Sequence, residues 1–139
     1  MPSLRARVPF VALALGTIAL GLGVHVYGAR LGTSTRDVLG DALWAMMITW
    51  WVGALAPTGP LRARGAVSLA ICVGVELSQL VHTPALDAMR STPGGQLVLG
   101  SGFDARDLAA YAFGVFGAVG LELAMRSRRS RHARSGFSP

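Results

Sequence analysis

Four apolar runs, separated by short polar or breaker-rich links, set the pattern of this chain. The first extends from Val8 to about Gly28 behind Arg5 and Arg7. The second opens at Asp37 and continues to Ala56, where Pro57-Thr58-Gly59-Pro60 imposes a stop. Arg62 and Arg64 precede the third, from Gly65 to His82, and Pro84 closes it. The fourth begins at Asp107 and ends near Met125. Each run is close to the roughly 20 residues that a helix needs to cross a bilayer. The pattern therefore predicts an all-α polytopic membrane protein with four transmembrane helices, over residues 8–28, 37–56, 65–82 and 107–125, in a single domain spanning residues 1–125. A basic flank followed by an apolar run is also how a secretory signal starts. Here the run is long for a signal and leads into further spans, which favours an uncleaved first helix.

The longest link, residues 83–106, is not simply polar. Leu86–Arg90 can form a short helix, Pro93-Gly94-Gly95 reads as a turn, and Leu97-Val98-Leu99 makes an apolar patch. Structureless connections of this length are uncommon in compact domains, so an ordered extracytoplasmic loop at the membrane interface is expected. Residues 126–139 read as a basic, disordered cytoplasmic tail that can lie on anionic lipid.

Composition supports the membrane reading. The chain has 139 residues, 52% hydrophobic and 14% charged, whereas an ordinary soluble domain carries roughly a quarter charged residues. Net charge is +6, and all 13 basic residues are arginine. Together with the abundance of Ala and Gly, that usage suggests a GC-rich bacterial genome. With four spans, Arg5, Arg7, Arg62, Arg64, Arg126, Arg128, Arg129, Arg131 and Arg134 fall on one side, and Arg30, Arg36, Arg90 and Arg106 on the other. The excess places both termini in the cytoplasm, with the chain multi-pass in the bacterial inner membrane. The sequence has no P-loop, no dinucleotide fingerprint and no aromatic-basic surface, so nucleotide and nucleic-acid binding are set aside. Cys72 is alone, excluding an intramolecular disulfide, and reads as a small packing residue. No cofactor is implied. Small-residue pairs four apart, such as Ala110 and Gly114, arise readily among 18 glycines and fix no oligomeric state.

An even number of spans brings four helix ends to one side, and polar residues crowd those ends: His25 and Tyr27, Asp37 and Asp41, Glu76, Gln79 and His82, then Asp104, Asp107 and Tyr111. Glu76 and Gln79 share a helix face, as do Asp37 with Asp41 and Asp107 with Tyr111. Asp37 and Asp104 have an ordinary role open to them, as caps of helix N-termini. Glu76 and Asp41 lie within their spans, where ionisable groups are functional-site hypotheses by default. Arg90 and Arg106 are the expected counter-ions. On the opposite side Glu122 is the lone acid, and Arg126, one turn on, is its expected structural partner.

Three segments carry a family resemblance: Asp37–Trp44 (DVLGDALW), Gly74–Leu80 (GVELSQL) and Leu99–Gly114 (LGSGFDARDLAAYAFG). They closely resemble the uncharacterised bacterial membrane family of domain of unknown function twenty-eight-oh-nine. The resemblance implies a functional cluster at Asp41, Glu76, Gln79, Arg90, Asp104, Asp107 and Tyr111, with Gly100 and Phe103 completing the last motif. Ala105-Arg106 departs from the aromatic-basic pair that the family pattern implies there. The pattern is also similar, more loosely, to VanZ-like membrane proteins, some of which are linked to glycopeptide resistance.

The first functional expectation is a small inner-membrane protein that binds a polar ligand or lipid headgroup at this cluster, with membrane lipid as its partner. A membrane-embedded enzyme is the alternative, using Glu76 with Asp107 or Asp41 as acid and base, His82 as proton carrier, or a divalent metal, on an envelope lipid or glycopeptide-related substrate. No HExxH, GxSxG or clustered cysteine pattern is present, so the non-enzymatic reading is preferred. A proton-coupled transport role would need partners, because four spans are few. A structural or partner subunit of a membrane complex is the remaining reading.

Overall fold

In the computed structural model, which describes residues 3–100 and 102–135, every regular element is helical. The order is α1 (Leu4–Tyr27), a 3₁₀ turn (Gly28–Leu31), α2 (Thr33–Leu55), α3 (Leu61–Ser78), α4 (Pro84–Arg90), α5 (Pro93–Leu99) and α6 (Ala105–Ser135). Helix α2 is the hub, packed against α1, α3 and α6, and α3 also lies against α6. Two buried clusters are strung along it. One joins Phe10 and Ala14 of α1 to Trp50, Ala54 and Ala118; the other joins Ala45 to Cys72, Tyr111 and Val115. Leu20, Leu55, Phe113 and Phe116 point outward, an arrangement that is unfavourable in water and suits a lipid surround.

Among the described residues, three helices are long and apolar enough to cross a membrane: α1, α2 and residues Ala105–Arg128 of α6. Helix α3, the predicted third span, has 18 residues and includes Arg62, Arg64 and Glu76. Its buried residues are Arg64, Ser68, Cys72 and Glu76, spaced four apart along one stripe. The stripe thus has a cation at one end and a carboxylate at the other, both turned into the bundle.

Arg64 is 3% exposed and donates from Nη2 to Glu122 Oε1 at 2.5 Å. Its guanidinium lies 5.1 Å from the Phe10 ring centroid, within cation–π range. Arg126 donates to the same oxygen at 2.7 Å, so the expected Glu122–Arg126 pair forms. The second partner, Arg64, reads in sequence as a helix flank. Helix α3 starts at Leu61, directly after Pro60, four residues earlier than the apolar pattern indicates. That early start winds Arg64 inward.

The 83–106 link holds two short helices, each opened by a Thr-Pro pair: the expected Leu86–Arg90 helix forms within α4, and α5 is the unexpected one. Thr83 Oγ1 accepts from Leu86 N and Thr92 Oγ1 from Gly95 N, with proline in the first helical turn each time. Pro93-Gly94-Gly95 is therefore the first turn of α5. The basic segment expected to be disordered continues α6 as helix through Ser135; residues 136–139 lie outside the described part. The Arg126–Glu122 pair and back-bonds from Ser127 and Ser130 to carbonyls three residues earlier run along this segment.

Arg64→Ala should leave Glu122 buried with a single, half-exposed partner and lower stability by about 3 kcal/mol. Arg126→Ala should cost under about 1 kcal/mol. Unfolding of both variants in detergent, followed by tryptophan fluorescence, measures the contrast.

Candidate functional site

The site is built around the Glu76 carboxylate, which is 0% exposed. Oε1 accepts the backbone N–H of Asp104 at 2.7 Å. Oε2 accepts the Tyr111 hydroxyl at 2.9 Å and Gln79 Nε2 at 3.0 Å. One side chain of α3 thereby ties down the segment leading into α6, the first turns of α6, and its own helix end. Among the described residues no basic side chain lies within 4 Å of Glu76, so the expected counter-ions are absent from it. Three donors take their place, as buried carboxylates require.

Local chain geometry sets those donors. Past Ser78 the α3 helix tightens: Gln79, Leu80 and Val81 donate to carbonyls three residues back. Gln79 is 4% exposed. Its amide packs on Gly100, whose φ of +70° suits glycine; a Cβ there would sit 2.5 Å from Gln79 Nε2. Asp104 caps α6, its Oδ1 accepting Arg106 N–H at 2.9 Å, while its own N–H goes to Glu76. The Tyr111 ring lies 5.5 Å from that of Trp44 on α2. Gly114, almost one turn beyond Tyr111, lets α6 approach α2 so closely that a Cβ would overlap the Ala42 carbonyl.

Beside this network is a cleft of about 620 Å³ between α1, α2, α5 and the adjoining ends of α3 and α6. Asp41, Gln79, Asp104, Asp107 and Tyr111 line it, five of the seven residues expected at the site. Asp41 from α2 and Asp107 from α6 line the same cleft. Glu76 stands behind the wall, outside the cleft lining, with both oxygens bonded to its donors. Arg90 is elsewhere: buried to 7% exposure, it donates to the carbonyls of Ser78 at 2.7 Å and Val81 at 2.9 Å, with Asp87 at 3.5 Å. It closes the C-terminus of α3, where orphan carbonyls and the helix dipole favour a cation.

His82, expected as a proton carrier, is exposed and 3.3 Å from Asp87. Asp37 falls in the second turn of α2, because that helix starts at Thr33; instead of capping it pairs with Arg36 at 3.7 Å and lines the cleft. Arg36 and Gln96 also line the cleft, and sequence reasoning misses both. Arg36 reads in sequence as a flank charge. Gln96 is legible only once Thr92-Pro93 is read as a helix start, which turns the apolar patch into a short helix. Among the described residues no three acidic, histidine or cysteine side chains converge to hold a metal ion.

Glu76→Gln places an NH₂ among three donors and should cost about 1–3 kcal/mol, with Tyr111→Phe costing about 1–2. Because the two share one hydrogen bond, the double variant should lose less than the sum. Thermal unfolding of the four proteins in detergent closes the cycle, and additive losses would show that the bond carries no stability.

No solved structure matches this chain. The family model for Protein of unknown function (DUF2809) matches residues 31–115, from the turn before α2 through the third turn of α6, and so takes in every residue bonded to Glu76. On that match, the chain belongs to the DUF2809 family.

Proposed function

We propose that this chain is a four-span membrane protein that binds a polar ligand or lipid headgroup in the Asp41–Asp107 cleft, on the extracytoplasmic side of a bacterial inner membrane. The carrying observation is that cleft: its about 620 Å³ falls within the 300–1,000 Å³ usual for ligand sites. Asp41 and Asp107 line it with no basic side chain within 4 Å among the described residues.

Counting α3 as the fourth span is supported by where its charges go. Arg64 and Glu76 are buried against protein partners rather than lipid, the condition under which ionisable groups are tolerated in a bilayer. Arg5, Arg7, Arg62 and the arginines of late α6 lie toward the end opposite the cleft, which supports cytoplasmic termini. The acid–base enzyme has less behind it, since neither Glu76 nor His82 lines the cleft. A purely structural role accounts for Glu76, Arg90 and the Asp104 cap but gives Asp41 and Asp107 nothing to do.

Native mass spectrometry of the protein released from lipid nanodiscs, wild type beside Asp41→Asn/Asp107→Asn, tests the binding site. A bound species should appear on the wild type and be lost from the variant, with melting temperatures within a few degrees. Identical spectra would sink the reading. Sidedness is read separately in a Cys72→Ser background. A membrane-impermeant maleimide should label Ser34→Cys in intact cells and Ser130→Cys only after permeabilisation.

A further inference from the structure

The character of the ligand follows from what the cleft offers it, a step that rests on reading the cleft as a binding site. Its charged and titratable lining comprises Asp37, Asp41, Asp104 and Asp107 against His25 and a single guanidinium, Arg36, which is paired with Asp37. Asp104 commits one oxygen to capping α6. Asp41 and Asp107 line the cleft from the packed helices α2 and α6.

Gln79 adds an independent observation. It is 4% exposed and forms part of the cleft wall. Because Nε2 donates to Glu76, the amide is turned with Oε1 at its other end, and Gly100 holds it there. Oε1 is buried and has no hydrogen-bond partner among the described residues. An amide oxygen held this way lacks a donor. Carboxylates and amide oxygens only accept, so the set calls for a group that only donates. An ammonium has three N–H donors and no acceptor. Trp44 and Tyr111 belong to the same wall. Ile18, Leu22, Leu43, Met47 and Val98 give the rest of the cleft an apolar lining.

We infer that the cleft receives a primary ammonium group, held by Asp41, Asp107 and the unpartnered Gln79 oxygen. The group can come from an aminolipid headgroup or from a soluble amine, and the apolar lining suits a ligand with a hydrocarbon portion. A quaternary ammonium has no N–H and cannot satisfy Gln79, so the site should discriminate against it.

The test uses the full chain in phosphatidylglycerol nanodiscs, alone or with phosphatidylethanolamine, phosphatidylcholine or added spermidine, read by native mass spectrometry. Wild-type protein should retain phosphatidylethanolamine over phosphatidylcholine by about tenfold, the scale of one charge-assisted hydrogen bond. Asp41→Asn and Asp107→Asn should each weaken retention, and Gln79→Leu should erase the ethanolamine preference. Retention of spermidine by wild type but not by Asp41→Asn, without lipid selectivity, would assign the soluble source. Equal retention of all lipids with no spermidine binding overturns the ammonium assignment. If a species without an amine is lost in Asp41→Asn/Asp107→Asn, the ammonium falls and the binding cleft stands. If nothing separates that variant from wild type, both fall.

Discussion

The Glu76 carboxylate, enclosed by protein and accepting from Asp104 N–H, Tyr111 OH and Gln79 Nε2, is the constraint around which this end of the bundle is arranged. A carboxylate in so dry a place is tolerable only if its donors are fixed. Each donor is fixed by something else: Tyr111 by the rigid start of α6, the Asp104 N–H by its position at the α6 cap, Gln79 by the tightened end of α3 and the glycine beneath it. Pinning three chain segments to one side chain sets the wall behind the cleft. Glu76 therefore positions the residues that face a ligand and is itself withdrawn from it.

The opposite end of α3 repeats the device with the sign reversed. There Arg64 is buried against Glu122 and the Phe10 ring, with Arg126 completing the pair from the helix surface. Ser68 and Cys72 fill the stripe between. The shortest of the four long helices is thus fastened to its neighbours by one buried ionisable side chain at each end, with little apolar bulk between. This suits a bundle surrounded by hydrocarbon, where apolar side chains gain nothing by turning inward and polar contacts and close packing must hold the helices together.

Much of this is legible in the sequence. The apolar runs locate the long helices, and the even number of runs brings Asp41, Gln79, Asp107 and Tyr111 to one side. Hydrophobicity cannot reveal the inward face of a helix whose buried stripe is Arg, Ser, Cys and Glu, and so Arg64 reads as a flank. The fourfold spacing of those residues is the available signal. Arg90 stands out in sequence for a charge it is expected to lend to Glu76; its closest contacts are the backbone carbonyls of Ser78 and Val81, which carry no signature in sequence, with Asp87 farther off at 3.5 Å. Leu86–Arg90 reads as helix in the sequence and forms part of α4, whereas α5 hides behind a Pro-Gly-Gly that reads as a turn; its clearest mark is chemical, the Thr-Pro start it shares with α4.

The close approach of α6 to α2 at Gly114 has a bearing on the cleft that neither Gly114 nor Ala42 shares by position, since both lie outside its lining. Asp41 is the residue before Ala42, and Asp107 lies two turns before Gly114 on the other helix. The hydrogen that glycine carries in place of a methyl group therefore acts as a gauge block between two backbones. The spacing of α2 and α6 beside the cleft, and with it the room the cleft offers, is machined at a contact outside its lining.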